Sequence, residues 1–461
     1  MAWDFTTEPE FEAKLEWIRH FVRDRIEPLD LLHGGRAYHP LTDELRPLVD
    51  PLKQAVRSQG LWAAHLGPEL GGKGFGQLKL GLINEILGRS SWAPIIFGTQ
   101  APDTGNAEIL AHYGTDEQQA RYLQPLLEGE VFSSFSMTEP HAGSDPKLFT
   151  TRARRDGDEW VLDGWKFFSS NARTSSFLIV MAVSNPDVSP YKGMSMFLVP
   201  TETPGVDIER HIGLMGEADG TGMHALIHYD GVRLPADALL GGEGQAFAIA
   251  QTRLGGGRVH HAMRTVGNCQ WALDMMCERA LSRETQGSLL ADKQLVQAAI
   301  AESYAQLAQF RLLVLHTAWQ IDQHQDYRRV RKDIAAIKFL TPQVLHDIVY
   351  RSMHIHGALG VSNELPFASL WHQVAIMAVV DGPTEVHKIT VAREVLKDYQ
   401  PAPGLWPTEH LPPSASRPSE ARGVPGTRGG QLLTLTGSRD LGRVWPGQSP
   451  ENGLRRWRRP P

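Results

Sequence analysis

The sequence predicts an α+β fold laid out as a helical segment, a strand-rich segment and a second helical segment. Three observations carry this expectation. Apolar residues recur at helical spacing near both ends, short apolar runs broken by Gly, Pro, Asn and Asp fill the middle, and no crossover helix separates those runs. At 461 residues the chain is also too long for one hydrophobic core, so two or three domains sharing interfaces are expected.

The first segment, 1–130, is helix-patterned. In "FEAKLEWIRHFVRDRIEPL", Phe11, Leu15, Ile18 and Val22 fall on one face. The second, 131–240, contains "EWVLDGWKFFSS", "SFLIVMAV", "GMSMFLVP" and "MHALIHYDGVRLP", which read as strands of an antiparallel barrel or sandwich rather than a nucleotide-binding parallel sheet. The third, 241–399, returns to long helices, with Val296, Ile300, Leu307, Phe310 and Val314 marking a buried stripe. Residues 400–461 are rich in Pro, Gly, Ser and Arg and have little to bury, so a disordered tail is expected; its terminal "RRWRR" is read as a solvated end before a contact for nucleic acid or a partner.

Composition excludes several classes. A net charge of −6 offers no general attraction to nucleic acid phosphates or anionic membranes. No apolar run approaches the roughly 20 residues needed to span a bilayer. The acidic start "MAWDFTTEPEFEAKLEW" lacks the basic and apolar blocks of a signal peptide. Cys269 and Cys277, if they share a helix, lie about 12 Å apart along it, too far for a disulfide. A cytoplasmic protein is expected.

Some motifs fail on inspection. "GGKGFG" (Gly71 to Gly76) has neither dinucleotide-fingerprint nor phosphate-loop spacing, and "GGGRVHH" (Gly255 to His261) lacks the Gly-Lys-Ser/Thr ending. The pairs His354/His356 and His260/His261 have no partners at metal-ligand spacing, so no metal site is expected. No G-x-S-x-G elbow is present.

Two stretches carry more. In "AIMAVVDGPTEVHK", Ala375 to Lys388, an apolar run ends in Asp381, then Gly-Pro, then a new amphipathic segment. Helix punctuation accounts for this, with Asp before a helix and Pro383 in its first turn. The sharper alternative is a carboxylate at the floor of an apolar pocket, poised to remove a proton. "FSMTEPHAGSD", Phe135 to Asp145, presents hydroxyls and backbone N–H groups on a bent segment.

That second stretch resembles the flavin-binding signature of the acyl-CoA dehydrogenases. "ELGGKGFGQLKLGLINEILGRS" and "YGTDEQQARYLQPLLEGE" resemble the family's N-terminal helical phrases, and "LDGWKFFSSNA" and "SRETQGSLLADKQ" its second flavin and dimer-interface motifs. "MHIHGALGVSNELP" and "VVDGPTEVHKITVAREVL" resemble its two C-terminal signatures. The likeness runs from residue 1 to about 397. It implies an N-terminal α-helical domain, a middle antiparallel β-barrel domain and a C-terminal four-helix-bundle domain, binding FAD and dehydrogenating an acyl-CoA.

The resemblance implies cofactor contacts at Phe135, Met137, Thr138 and Ser144, with Thr138 on the ring and Ser144 on the pyrophosphate and beside substrate. Phe168 and Ser170 stand where the family has Trp and Thr. The change to Phe keeps an aromatic face but loses an indole N–H. Arg283 matches an arginine reaching the FAD pyrophosphate of a neighbouring subunit, a task suited to a planar guanidinium. Gln294, His354, Gly357 and Glu385 fall at further cofactor positions, Gly357 as a place of close backbone approach.

Asp381 stands at the catalytic glutamate's position. Removing the α-proton while the β-hydrogen leaves as hydride to flavin N5 requires a base facing the flavin across the substrate. The resemblance implies that the Asp381 backbone N–H and a ribityl hydroxyl receive the thioester oxygen's charge. Gly382 and Arg258 are implied near the substrate, although a surface ion pair accounts for Arg258 as well. Asp is about 1.5 Å shorter than Glu, and a misplacement of that order costs about 100-fold. "DGPTEVH" with "RVHHAMRTVG" resembles the branch in which Asp is the base and whose eukaryotic members can carry a kinase-like domain. The implied partners are the acyl-CoA of fatty acid β-oxidation, electron-transfer flavoprotein and a second copy of the chain, as dimer or homotetramer. A flavin oxidase resembling nitroalkane oxidases, which also use Asp, and a non-catalytic nucleic-acid-binding relative are the alternatives.

Overall fold

The computed structural model describes residues 6–33, 41–67, 74–215, 217, 220 and 222–401. The tail expected at 400–461 therefore falls almost wholly outside the described residues, as do Gly71 to Lys73 of the first glycine-rich stretch.

Helices come first: α1 (Pro9–Phe21), α2 (Arg46–Ser58), α3 (Gly76–Leu87) and α4 (Asp103–Tyr113) are the longest regular α-helices of the N-terminal part. Phe11, Leu15, Ile18 and Val22 are all buried, in one cluster with Leu52, Val56, Ile83 and Leu87. The N-terminus of α3, at the end of "GGKGFG", is filled by a carboxylate from elsewhere in the chain. Asp322 accepts from the backbone N–H groups of Gln77 and Leu78 at 2.6 and 2.8 Å. That satisfies orphan donors and complements the helix dipole.

The middle segment is an eight-stranded sheet in the order β6-β7-β3-β1-β4-β5-β8, with β2 pairing to both β3 and β4. The strands are β1 (Ser133–Ser136), β2 (Arg152–Asp156), β3 (Glu159–Ser170), β4 (Phe177–Val183), β5 (Met194–Pro200), β6 (Val206–Ile212), β7 (His224–Pro235) and β8 (Leu239–Leu240). Pairing is mainly antiparallel, as expected, but β4 runs parallel to β1 and β2. Parallel neighbours need a long connection, and here the β2–β3 hairpin supplies it in place of a helix. Strand β4 explains its unbroken apolar run "FLIVMAV" by being covered on both sides. Phe177, Ile179 and Met181 pack with α4 and the start of the next helix, and Leu178, Val180 and Ala182 pack among the other strands.

Three long helices follow, α5 (Ala246–Ser282), α6 (Gln294–His324) and α7 (Arg331–His356), with α8 (Phe367–Val379) and α9 (Thr384–Leu396) packed on α7. Leu307, Phe310 and Val314 are buried in their core, whereas Val296 and Ile300, nearer the exposed start of α6, are half-buried. Both α3 and α4 pack against α5, which joins the helical parts. Cys269 and Cys277 lie on α5 as free thiols. Among the described residues no helix is long and apolar enough to cross a membrane.

Candidate active site

The turn between α8 and α9 carries Asp381. It does not cap α9: the N-cap is Pro383, without a side-chain cap. Asp381 has φ +53 and Gly382 φ +105, a reversal open to Asp and Gly but hostile to most side chains. The turn is fixed through the Asp381 carbonyl, which accepts from Arg258 Nε at 2.9 Å and contacts His387 Nε2 at 3.3 Å. Arg258 is thus a half-buried support of this turn, not a surface pair.

The Asp381 carboxyl points inward and is about nine-tenths buried. One oxygen lies 3.7 Å from Arg253 Nη1 and the other 3.5 Å from His261 Nε2. Arg253, Gly257 and His261 are spaced i, i+4, i+8 on α5 and so share a face. Gly257 leaves the space that the acid uses: a Cβ there would stand 2.9 Å from Asp381 Oδ2. The same holds at the two preceding residues, where a Cβ on Gly255 would meet Tyr327 at 3.0 Å and one on Gly256 would meet Glu108 at 2.6 Å. The triple glycine is therefore a groove on a helix into which three polar side chains fold, not a phosphate loop.

Burial pushes the Asp381 carboxyl up, but nearby His261, Arg253, Arg258 and Lys338 outweigh it and hold it below the usual carboxylate range. Desolvation drives His261 itself down to about 3, so at neutral pH it is uncharged and the two guanidinium groups and Lys338 supply the field. Lys338, pushed down to about 8 chiefly by burial, donates to the Met377 carbonyl at the end of α8.

Arg253 connects this acid to the first flavin-like motif. Its guanidinium lies over the Phe135 ring, 4.1 Å from the centroid. Its Nε donates to Asn106 Oδ1 at 3.0 Å, and Asn106 in turn donates to Ser133 Oγ at the start of β1, at 2.9 Å.

The loop after β1 is held by a buried ion pair. Lys166 Nζ reaches both Glu139 Oε1 and the Met137 carbonyl at 2.9 Å, and Glu139 also accepts from Thr150 and Thr151 backbone N–H groups. The Thr138 carbonyl accepts from Phe167 N–H at 2.8 Å, and Ser144 is exposed further round the same loop. Phe135 pairs with Ser170 across β1 and β3, and Ser170 Oγ bonds His224 Nδ1 at 2.9 Å. A β-bulge between Lys166 and Ser169 throws Phe168 out of the ladder with φ +54, leaving this large apolar ring 41% exposed.

Phe135, Met137, Thr138, Ser144, Phe168 and Ser170 thus gather around β1 and β3, and Arg258, Asp381 and Gly382 around the α8–α9 turn. Arg283, Gln294, His354 and Glu385 are exposed, and no hydrogen bond or ion pair joins them to the Asp381 cluster among the described residues. Arg283 closes α5 and Gln294 opens α6, either side of a short hairpin, Glu284–Thr285 with Ser288–Leu289. Gly357 has a φ of +66, which by itself calls for glycine, and no protein atom among the described residues lies within 4 Å of its Cβ position. Sequence reasoning missed Arg253, His261, Lys338 and Glu108. The first two carried a signal in their shared helical face within "RLGGGRVHH"; Lys338 and Glu108 carried none.

Comparisons place this architecture. Three segments match the acyl-CoA dehydrogenase N-terminal domain (residues 8–130), middle domain (134–228) and C-terminal domain (244–396). The chain is 42% identical to the probable acyl-CoA dehydrogenase FadE2 of Mycobacterium tuberculosis, over 78% of this chain and 88% of that protein. It is 38% identical to acyl-CoA dehydrogenase family member 11 of Gallus gallus, over 83% of this chain and 50% of that one, so it spans about half of that relative's length. A structure assigned as an acyl-CoA dehydrogenase from Mycobacterium abscessus superposes with TM-score 0.80 at 37% identity, over 86% of this chain and 100% of the other. With all three domains matched in order along the chain, the protein belongs to the acyl-CoA dehydrogenase family.

Proposed function

We propose that the protein is an FAD-dependent acyl-CoA dehydrogenase in which Asp381 removes the α-proton of the thioester and the product is the trans-2-enoyl-CoA. The observation that carries this reading is the placement of Asp381. An ionised, nearly buried carboxylate lies beside Arg253, whose guanidinium also lies over the Phe135 ring of the flavin-like motif.

The donor set fits the cofactor. Phe168 offers a solvent-facing aromatic plane held out by a bulge, Thr138, Ser144 and Ser170 offer hydroxyls, and Arg283 offers a charged fork for phosphate. FAD, when bound, supplies the acceptor for the β-hydrogen as hydride. The chain's own residues do the rest. Asp381 Oδ takes the α-proton, and its backbone N–H donates to the thioester oxygen as charge develops there. Arg258 and His387 fix the turn carrying the acid, and the Gly257 groove sets how close the acid lies to α5.

Exposed apolar side chains on the helical part, among them Leu295, Tyr304, Leu312, Tyr350, Ile389 and Leu396, support a homo-oligomer. Arg283 and Gln294 then complete a neighbour's cofactor site. Electrons pass to electron-transfer flavoprotein, in cytoplasmic fatty acid β-oxidation. The test is anaerobic mixing of the yellow protein with acyl-CoAs of varied length and branching. Wild type bleaches, and Asp381→Asn retains FAD but does not bleach; full bleaching by the variant removes Asp381 from the mechanism. Rapid reoxidation in air after bleaching by a nitroalkane would instead favour the oxidase.

A further inference from the structure

A second carboxyl shares Arg253 with the proposed base, and the reaction as described does not use it. Glu108 on α4 accepts from the Tyr327 hydroxyl at 3.0 Å and folds into the groove at Gly256, next to the Gly257 position occupied by Asp381. Gly256 is three residues beyond Arg253 on α5, so both carboxyls lie along the same helical face, and both feel the charge of the same guanidinium.

The charged and titratable groups around the pair come from every packed element. From α4 there are Asp103, which accepts from Ser133 N–H and Oγ at 2.8 and 2.6 Å, and Glu108 itself. Helix α5 supplies Arg253, Arg258 and His261, α7 supplies Lys338, and the α8–α9 region supplies Asp381 and His387. Tyr327 precedes α7 and faces Asp322 of α6 as well as Glu108. Desolvation is the dominant influence on Glu108 and pushes it up to about 7, against the Tyr327 hydrogen bond and Arg253, yet the residue retains accessible surface. Asp381, held low, remains ionised while Glu108 changes state.

We propose that Glu108 is a positioning residue for Asp381: when ionised it competes for the Arg253 guanidinium, weakens the pairing that restrains Asp381, and makes Asp381 a stronger proton acceptor. The inference rests on Asp381 being the base. Its effect on the site is electrostatic, since a base gains effectiveness as its proton affinity rises while it stays ionised.

The coupling must be reciprocal, and that gives a test needing no substrate. In the holoenzyme, the protonated-carboxyl infrared stretch is titrated with pH. Wild type should show a band lost near neutrality, absent from Glu108→Gln and moved to higher pH in Tyr327→Phe. In Asp381→Asn, Arg253 is freed for Glu108 and the midpoint should fall by about half a pH unit. In parallel, the bleaching rate with the fastest acyl-CoA of the panel should rise a few-fold through the same midpoint in wild type and stay flat in Glu108→Gln. An unchanged midpoint in Asp381→Asn, or the same rate step in Glu108→Gln, overturns the proposal. Bleaching by Asp381→Asn would overturn the base assignment instead, a separate outcome.

Discussion

Adding one methyl group at Gly257 should separate the site's chemistry from its stability. A Cβ there would stand 2.9 Å from Asp381 Oδ2 and 3.7 Å from its Cγ, inside ordinary van der Waals contact for the nearer atom. The carboxyl has to retreat by about 0.5 Å, because the helix beneath it cannot move. A 1 Å misplacement of a reacting group costs on the order of 100-fold, so half of that should slow proton removal about tenfold. Ala for Gly in a helix interior gains about 1 kcal/mol, which offsets the displaced acid and should hold the melting temperature within about 3 °C. The assay is anaerobic stopped-flow bleaching beside thermal unfolding of the same preparation. A variant as fast as wild type would show that the acid's closeness to α5 does not matter. Loss of rate and stability together would mean that the groove is only a packing feature.

Phe168→Gly should act with opposite signs on protein and cofactor. It relieves a non-glycine residue at φ +54 and removes an exposed ring, so the FAD-free protein should gain about 1 kcal/mol in denaturant unfolding while FAD dissociates faster on dilution. Lys166→Met leaves Glu139 a buried acid without its partner, which should cost about 3–5 kcal/mol in the same measurement; adding Glu139→Gln should restore part of it. Acid should unfold the protein early. Burial lowers His65 to about 4, His261 to about 3 and His387 to about 4, so the folded state stays neutral while the unfolded chain takes up protons. Their contribution is present above the ordinary histidine value and is lost as pH falls from about 6.5 toward 4. Melting temperatures across that range should drop, and less steeply for His65→Leu, whose native ring nitrogens have no partner.

What was legible in the chain was whatever a local pattern encodes. The strand "EWVLDGWKFFSS" is β3 to the residue, because alternation and flanking turn residues fix it without reference to the rest of the fold. The loop after β1 was legible as a phrase, but its anchor was not. Nothing in the order of residues says that Lys166 turns inward to Glu139, since a lysine in a strand ordinarily points to water. Nor could the charge around Asp381 be read, because Arg253, Lys338 and the acid are brought together only when α5, α7 and the α8–α9 turn pack.

The shorter acid follows from this packing. The turn at residue 381 has φ +53, a conformation several-fold enriched in Asp over longer side chains. The missing methylene is matched by a missing Cβ on the facing helix at Gly257, which lets the carboxyl lie against α5. A turn that demands Asp and a groove that accepts it are one arrangement, so the acid and the glycine belong to the same constraint. The glycine run that signified nothing as a phosphate loop is the part of the sequence that gives Asp381 its place against α5.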